Sequence, residues 1–194
     1  MDASVDTKPS LQDLISATEA VSFAHENNAQ DPHSEARNIV LNQLNFMPRS
    51  RKELETTLAK RHIEPDVAKS VLDRFEEIGT VDDVAFAELL IRSRCNTKRV
   101  SRSVLRQQLR QKGVDQEIII DALMVITDDD ELRMATELVE RKARAMSRLE
   151  PEVRKRRLFG LLARKGYNTS IALRVINDLE ASDFNGAEVM SDLS

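Results

Sequence analysis

The chain has 194 residues, a formal net charge of −4, no Trp, one Tyr, six Phe, and only five Gly and five Pro. So few aromatics and turn-formers exclude a large sandwich or barrel and suit small helical units packed through Leu, Ile and Val. Cys95 stands alone, which excludes an intramolecular disulfide and fits a reducing cytosol, and no stretch approaches the roughly 18 to 20 apolar residues of a membrane span.

Residues 1–33 hold six acids against Lys8, net −5, and residues 181–194 are net −3, so the body between them is net +4. Partners meet local surfaces and not the sum, which makes a basic body between acidic ends the useful description. The N-terminus carries acids where a signal peptide needs positive charge. Leu11, Leu14 and Ile15 allow one turn of helix, but 1–33 and 182–194 lack sustained periodicity and are expected to be disordered, acidic tails.

The body repeats itself. Leu58 to Ile63, Leu109 to Val114 and Leu162 to Tyr167 match at offsets of 51 and 53 residues. The match continues in register through Leu54, Leu105 and Leu158 upstream, Val67, Ile118 and Ile171 downstream, then Leu72, Leu123 and Ile176. Three repeats follow, at 34–79, 80–127 and 128–181, each of three helices.

In the first repeat, a helix over 34–46 precedes one capped by Ser50 with Glu53 and one opening at Pro65, whose inward face runs Val67, Val71, Leu72, Phe75 and Ile78. In the second, Asp82 or Asp83 caps a helix over 84–96 with Phe86 packed inward, Ser101 caps the next, and Asp115 starts the third. The segment 117–126 is apolar nearly all round and is expected to be buried between neighbours. In the third, Asp128 caps a helix over 130–148 carrying Leu132, Ala135, Leu138 and Val139, Pro151 opens the next, and Asn168 to Ser170 start the last. Gly113 and Gly166 fall where a helix ends in a left-handed residue, while His62 takes that place at greater cost. The expected fold is all-α: three tandem three-helix repeats sharing interfaces in an elongated, curved array.

From Leu89 to Val114 there is no Asp or Glu, yet Arg92, Arg94, Lys98, Arg99, Arg102, Arg106, Arg110 and Lys112 are basic. Arg102, Arg106 and Arg110 form an i, i+4 stripe beside the Leu105 and Leu109 stripe that faces the core, and such a row suits phosphates or carboxylates. A second basic segment includes Arg141, Lys142, Arg144, Arg148, Arg154, Lys155, Arg156, Arg157, Arg164 and Lys165. The plainer account is that these charges solvate helix faces and favour helix dipoles; a merely solvated face, however, interleaves both signs. Scarce aromatics argue against base-specific stacking.

Other chemistry is weakly supported. His25, His33 and His62 lack ligands at metal-binding spacing, and the run Asp128 to Glu131 reads as a helix cap with first-turn acids. Cys95 is either a half-buried packing residue or a thiol made reactive by Arg92, Arg94, Lys98 and Arg99. No phosphate-binding loop, dinucleotide fingerprint or nucleophile elbow occurs, so the reading is a protein without catalysis or cofactor.

Taken together, four segments resemble the RecX family of RecA regulators over about residues 34–180: Arg49 to Leu54 with Leu58; Gly79 to Ala87 with Asp82, Asp83 and Phe86; Leu105 to Val114 with Leu109 and Gly113; and Arg157 to Tyr167 with Leu158, Leu162 and Gly166. His62, Ser101 and Tyr167 depart mildly from that pattern. The resemblance implies a cytoplasmic bacterial regulator of DNA repair, homologous recombination and the SOS response, and the chain is expected to be a monomer. It implies binding to RecA, free and as a filament on single-stranded DNA, lodging in the filament groove and suppressing strand exchange, ATP hydrolysis and stimulated repressor cleavage. Double-stranded DNA is a further candidate ligand of the basic faces. On this reading the run from Arg92 to Lys112 anchors the contact, and Arg154, Lys155, Arg156, Arg157, Arg164 and Lys165 extend it. The rival is a stand-alone, sequence-nonspecific nucleic-acid-binding repeat protein.

Overall fold

The computed structural model describes residues 31–191, with side chains to 182. The reading of 1–30 as a tail, His25 and the Leu11 to Ile15 turn lie outside the described residues. Among these residues every regular element is a helix: α1 Pro32–Phe46, α2 Arg51–Lys60, α3 Pro65–Glu77, α4 Asp83–Lys98, α5 Arg102–Gln111, α6 Gln116–Leu123, α7 Asp128–Arg144, α8 Pro151–Arg164 and α9 Thr169–Ser191. In each group of three, the third helix packs along the first.

The register seen in the sequence is the register of the cores. Leu54, Leu105 and Leu158, then Leu58, Leu109 and Leu162, are all fully buried on the middle helices, and Leu72, Leu123 and Ile176 are buried on the third helices. Burying each such side chain contributes about 1.5–3 kcal/mol. The deepest position at the start of the third helix is one residue later than the periodicity suggested: Ala68, Ile119 and Ala172 are buried, whereas Val67, Ile118 and Ile171 are partly so.

The three turns after the middle helices share one geometry. Ile63, Val114 and Tyr167 donate their backbone N–H to the carbonyls of Leu58, Leu109 and Leu162 at 3.1–3.2 Å, and His62, Gly113 and Gly166 donate to Ala59, Arg110 and Ala163 at 2.9–3.0 Å. This double bond pattern satisfies helix-end carbonyls and needs a left-handed residue. His62, Gly113 and Gly166 have φ of 60°, 75° and 81°. Arg99, named in the sequence only for its charge, is also left-handed at φ 44°.

Several local expectations are corrected. Helix α1 begins at Pro32, capped by Asp31, and α9 continues through 182–191, the segment expected as a tail. Helix α7 is capped by Thr127 and not by Asp128, because only Thr127 has its side chain placed to accept from the Asp130 N–H while the Asp130 carboxylate reaches back to Thr127. The helix also ends at Arg144, short of 148. Asp82 caps α4 by accepting from Val84 and Ala85, leaving Asp83 as the first helical residue. Ile78 sits just beyond α3 and is 57% exposed.

Asp130 accepts from the Thr127 hydroxyl at 2.7 Å, from Arg133 at 2.5 Å and from the Thr127 N–H at 3.2 Å, which holds its carboxyl down at about 2 against an ordinary 3.8. A folded-state value below the unfolded one gives stability that is present above the unfolded value and is lost as pH falls towards about 2. Wild type is therefore expected to lose more melting temperature than Asp130→Asn between pH 5 and pH 2. Parallel acid limbs in thermal melts would contradict this.

By contacts the described chain forms two compact units. The first comprises residues up to Arg49 and Glu53–Val81, with a core of Val40, Leu54, Leu58, Val71, Leu72 and Phe75 among others. The second takes Ser50–Lys52 and everything from Asp82 onward. It contains the second and third repeats, whose cores centre on Leu105, Leu109 and Ile119 and on Leu138, Leu158 and Leu162.

Candidate functional site

Within the second unit, the ends of several helices satisfy one another. The last carbonyls of α4 lack intrahelical donors; Lys98 O accepts from Lys165 Nζ at 2.8 Å and Arg99 O from the Tyr167 hydroxyl at 3.0 Å. In return, Ser101 donates its N–H to Lys165 O at 3.0 Å and its hydroxyl to Gly166 O at 2.7 Å. Ser50, grouped with the same unit, likewise donates its hydroxyl to Lys112 O at 2.5 Å, and the N–H of Arg51 is taken by Asp83 at 2.9 Å.

This joint consumes part of the expected basic stripe. Arg102 donates to the buried Glu131 through its backbone N–H at 3.0 Å and its guanidinium Nε at 2.9 Å, to Ile126 O at 3.2 Å, and also to Asp128. A buried carboxylate with its hydrogen bonds filled this way acts as structure, and removing one partner of such a pair typically costs about 3–5 kcal/mol. Arg99 pairs with Glu137 at 2.9 Å, Lys155 with Glu180 at 2.9 Å, and Arg110 donates to Gln116 at 3.1 Å. Lys112 and Arg154 also have interactions of their own. Arg106 lines an open groove beside Ile120 and Met124, while Arg92 and Arg94 lie on α4, Arg92 exposed and Arg94 half-buried.

The cations that remain gather elsewhere. Lys165 is held below its ordinary range by partial burial and by the neighbouring charges of Lys98, Arg141 and Lys142. Lys142 also lines a groove of about 450 Å³ with Arg156, Arg157 and Arg164, floored by Met146, Gly160 and Leu161. Lys142 thus joins two groups into one basic surface that runs from the end of α4 across α7 to α8. None of Lys98, Arg141, Lys142, Arg156, Arg157 and Arg164 is ion-paired among the described residues. The sequence had placed Arg141 and Lys142 in a basic segment without singling them out; helical spacing on α7 and the fold of α8 against it supply the juxtaposition.

The structural motif residues lie in the cores and turns: Phe86, Leu105, Leu109, Leu158 and Leu162 are buried, and Asp82 caps α4. Cys95 packs half-buried against the second core, and its thiol is pushed up by burial and then by Asp130 and Glu131, the reverse of activation by the neighbouring arginines. Among the described residues no group of three or more His, Cys, Asp or Glu is placed to hold a metal ion, and no helix is long and apolar enough to cross a membrane.

Fold and surface define a class: a helical-repeat binding protein of three three-helix domains, with a cationic face on the later two. The known three-helix domains of RecX match in chain order, the first over residues 36–75, the second over 82–123 and the third over 128–176. Regulatory protein RecX of Streptomyces coelicolor is 39% identical over 163 residues, 84% of this chain and 87% of its own. That of Mycolicibacterium smegmatis is 42% identical over 156 residues, 77% and 83%. The crystal structure of RecX from Lactobacillus salivarius superposes with a TM-score of 0.68 at 27% identity, over 78% of this chain and 98% of that one. The chain belongs to the RecX family of regulatory proteins, which are not enzymes.

Proposed function

We propose that the chain, as a monomer, binds RecA both free and as the filament on single-stranded DNA, and restrains the filament's recombinase, ATPase and coprotease activities. Family membership supports the reading. The observation that carries it is the basic surface joined through Lys142, since Lys98, Arg141, Arg156, Arg157 and Arg164 stand there without ion-pair partners among the described residues. Guanidinium and ammonium groups kept clear of internal acids suit the phosphates and carboxylates that a nucleoprotein filament presents. On this reading the main contact spans the second and third domains, since Arg102 and Arg99 of the acid-free run are already held by Glu131, Asp128 and Glu137.

Fluorescence anisotropy tests the reading. Labelled single-stranded DNA coated with RecA is expected to bind the chain more tightly than the same DNA bare, with the difference persisting at physiological salt. Equal, strongly salt-sensitive binding to both would favour a stand-alone nucleic-acid-binding protein.

A further inference from the structure

Helix α6 departs from what its composition suggests. Ile119, Ala122 and Leu123 enter the second core, but Ile120, Met124 and Val125 in and just after the helix are 44%, 69% and 72% exposed. The expectation that segment 117–126 is buried all round is thereby corrected: one side is core, and the other carries an apolar ridge of Ile120, Met124 and Val125 beside the exposed acids Glu117 and Asp121. Water-exposed apolar clusters of this kind mark contact surfaces more often than chance.

The repeat supplies an internal control. In register with Ile120, Met124 and Val125 are Lys69, Asp73 and Arg74 in the first domain, and Leu173, Asn177 and Asp178 in the third. In α3 those residues close into surface ion pairs, Lys69 with Asp73 and Arg74 with Glu77, both at 2.9 Å. A third helix of this fold therefore carries a charged outer side without harm to its core. The ridge on α6 is not a requirement of folding.

Grooves flank the ridge. The one towards α4, about 640 Å³, is walled by Val84, Ile91, Ile118 and Val125, with Glu88, Arg92 and Asp121 also in its lining. The one towards α5, about 490 Å³, sets Ile120 and Met124 beside Arg106, and the carboxylate there, Glu131, is already taken by Arg102. Arg106 is left without an acidic partner among the described residues. An occupant that matches both features carries apolar side chains for the ridge and a carboxylate at its edge for Arg106.

We propose that the α6 ridge is a protein-docking surface for a segment of RecA that carries apolar side chains and a carboxylate at the Arg106 edge, laid along the ridge by apolar contact and oriented by Arg106. The assignment rests on the functional reading above. It gives the two surfaces separate tasks: the basic surface supplies salt-sensitive attraction, and the ridge supplies salt-tolerant recognition of protein.

The test transplants the first domain's residues, Ile120→Lys with Met124→Asp and Val125→Arg, into the full chain. Affinity for DNA-free RecA, binding to bare single-stranded DNA and the thermal melt are measured together. The expected result is at least a tenfold loss of RecA affinity with the melt preserved and DNA binding not reduced. Arg106→Glu, which leaves the ridge intact, is expected to weaken the same RecA binding and so guards against a misfolded triple variant. Unchanged RecA affinity in both variants overturns the proposal. So does a wild-type dimer in sedimentation that the transplant converts to monomer, since the ridge would then serve a second copy of the chain. A wild-type chain with no affinity for RecA overturns the functional reading itself, an outcome distinct from a ridge that does not matter.

Discussion

Gly166→Ala is expected to lower unfolding free energy by roughly 2–4 kcal/mol, whereas Gly79→Ala should cost only about 1. Both glycines are left-handed, at φ 81° and 68°. They differ in what an added Cβ meets. At Gly166 it falls 2.5 Å from Val104 Cγ2 and 2.6 Å from Ser101 Oγ, while at Gly79 nothing lies within 4 Å. Neither neighbour at Gly166 is the end of a flexible side chain. Val104 is half-buried against the second core, and Ser101 donates to the Gly166 carbonyl and caps α5. Relief would require moving the start of α5 or breaking the bonds between residues 98–101 and 165–167. Denaturant melts of the two variants check this, and equal losses would mean that the close approach at Gly166 carries no energetic weight.

The second large effect is electrostatic. Lys142→Ala with Arg157→Ala and Arg164→Ala removes three cations that meet at one groove and are not ion-paired among the described residues, so stability should change little. If each contacts a phosphate or carboxylate worth about 1 kcal/mol, affinity for single-stranded DNA and for the RecA filament falls by roughly a hundredfold. For phosphate contacts on a single strand, log K should also lose about 2 from its slope against log salt. Arg102→Ala should behave in the opposite way, costing stability through the orphaned Glu131 more than affinity. A basic triple variant with wild-type affinity and salt slope would move the contact away from this groove.

The fold was legible because its determinants are local and repeated. A left-handed turn needs Gly113 or Gly166, a buried seam needs Leu105 and Leu109 four apart, and both recurred at one period. His62 was legible as a costlier substitute for the same reason. The cap of α7 was misplaced by a single residue because Thr127 and Asp128 are both good capping types, and only geometry chooses between them.

The surface was less legible, since charge in a sequence does not say which partner folding brings. Arg102 looked like a member of an open stripe, yet the acids that hold it, Asp128 and Glu131, are far along the chain and looked like an ordinary first turn. Lys142 looked unremarkable on α7 until α8 packed beside it. Helix α6 misled in the other sense: Ile118, Ile120, Met124 and Val125 have the composition of a core helix, and composition alone cannot say that only one side meets a core. Cys95 was surrounded in sequence by arginines but in space by burial, Asp130 and Glu131. The proposed contacts fall where the repeats differ, because likeness maintains the core while difference is free to serve a partner.

The central claim, that this RecX-family chain restrains the RecA filament, is tested most directly by the steady-state ATPase of RecA on single-stranded DNA titrated with the purified protein. The account predicts inhibition at amounts well below one chain per RecA, with the Lys142, Arg157 and Arg164 variant requiring far more protein for the same effect. Undiminished ATP hydrolysis at a full equivalent of folded wild-type protein would contradict it.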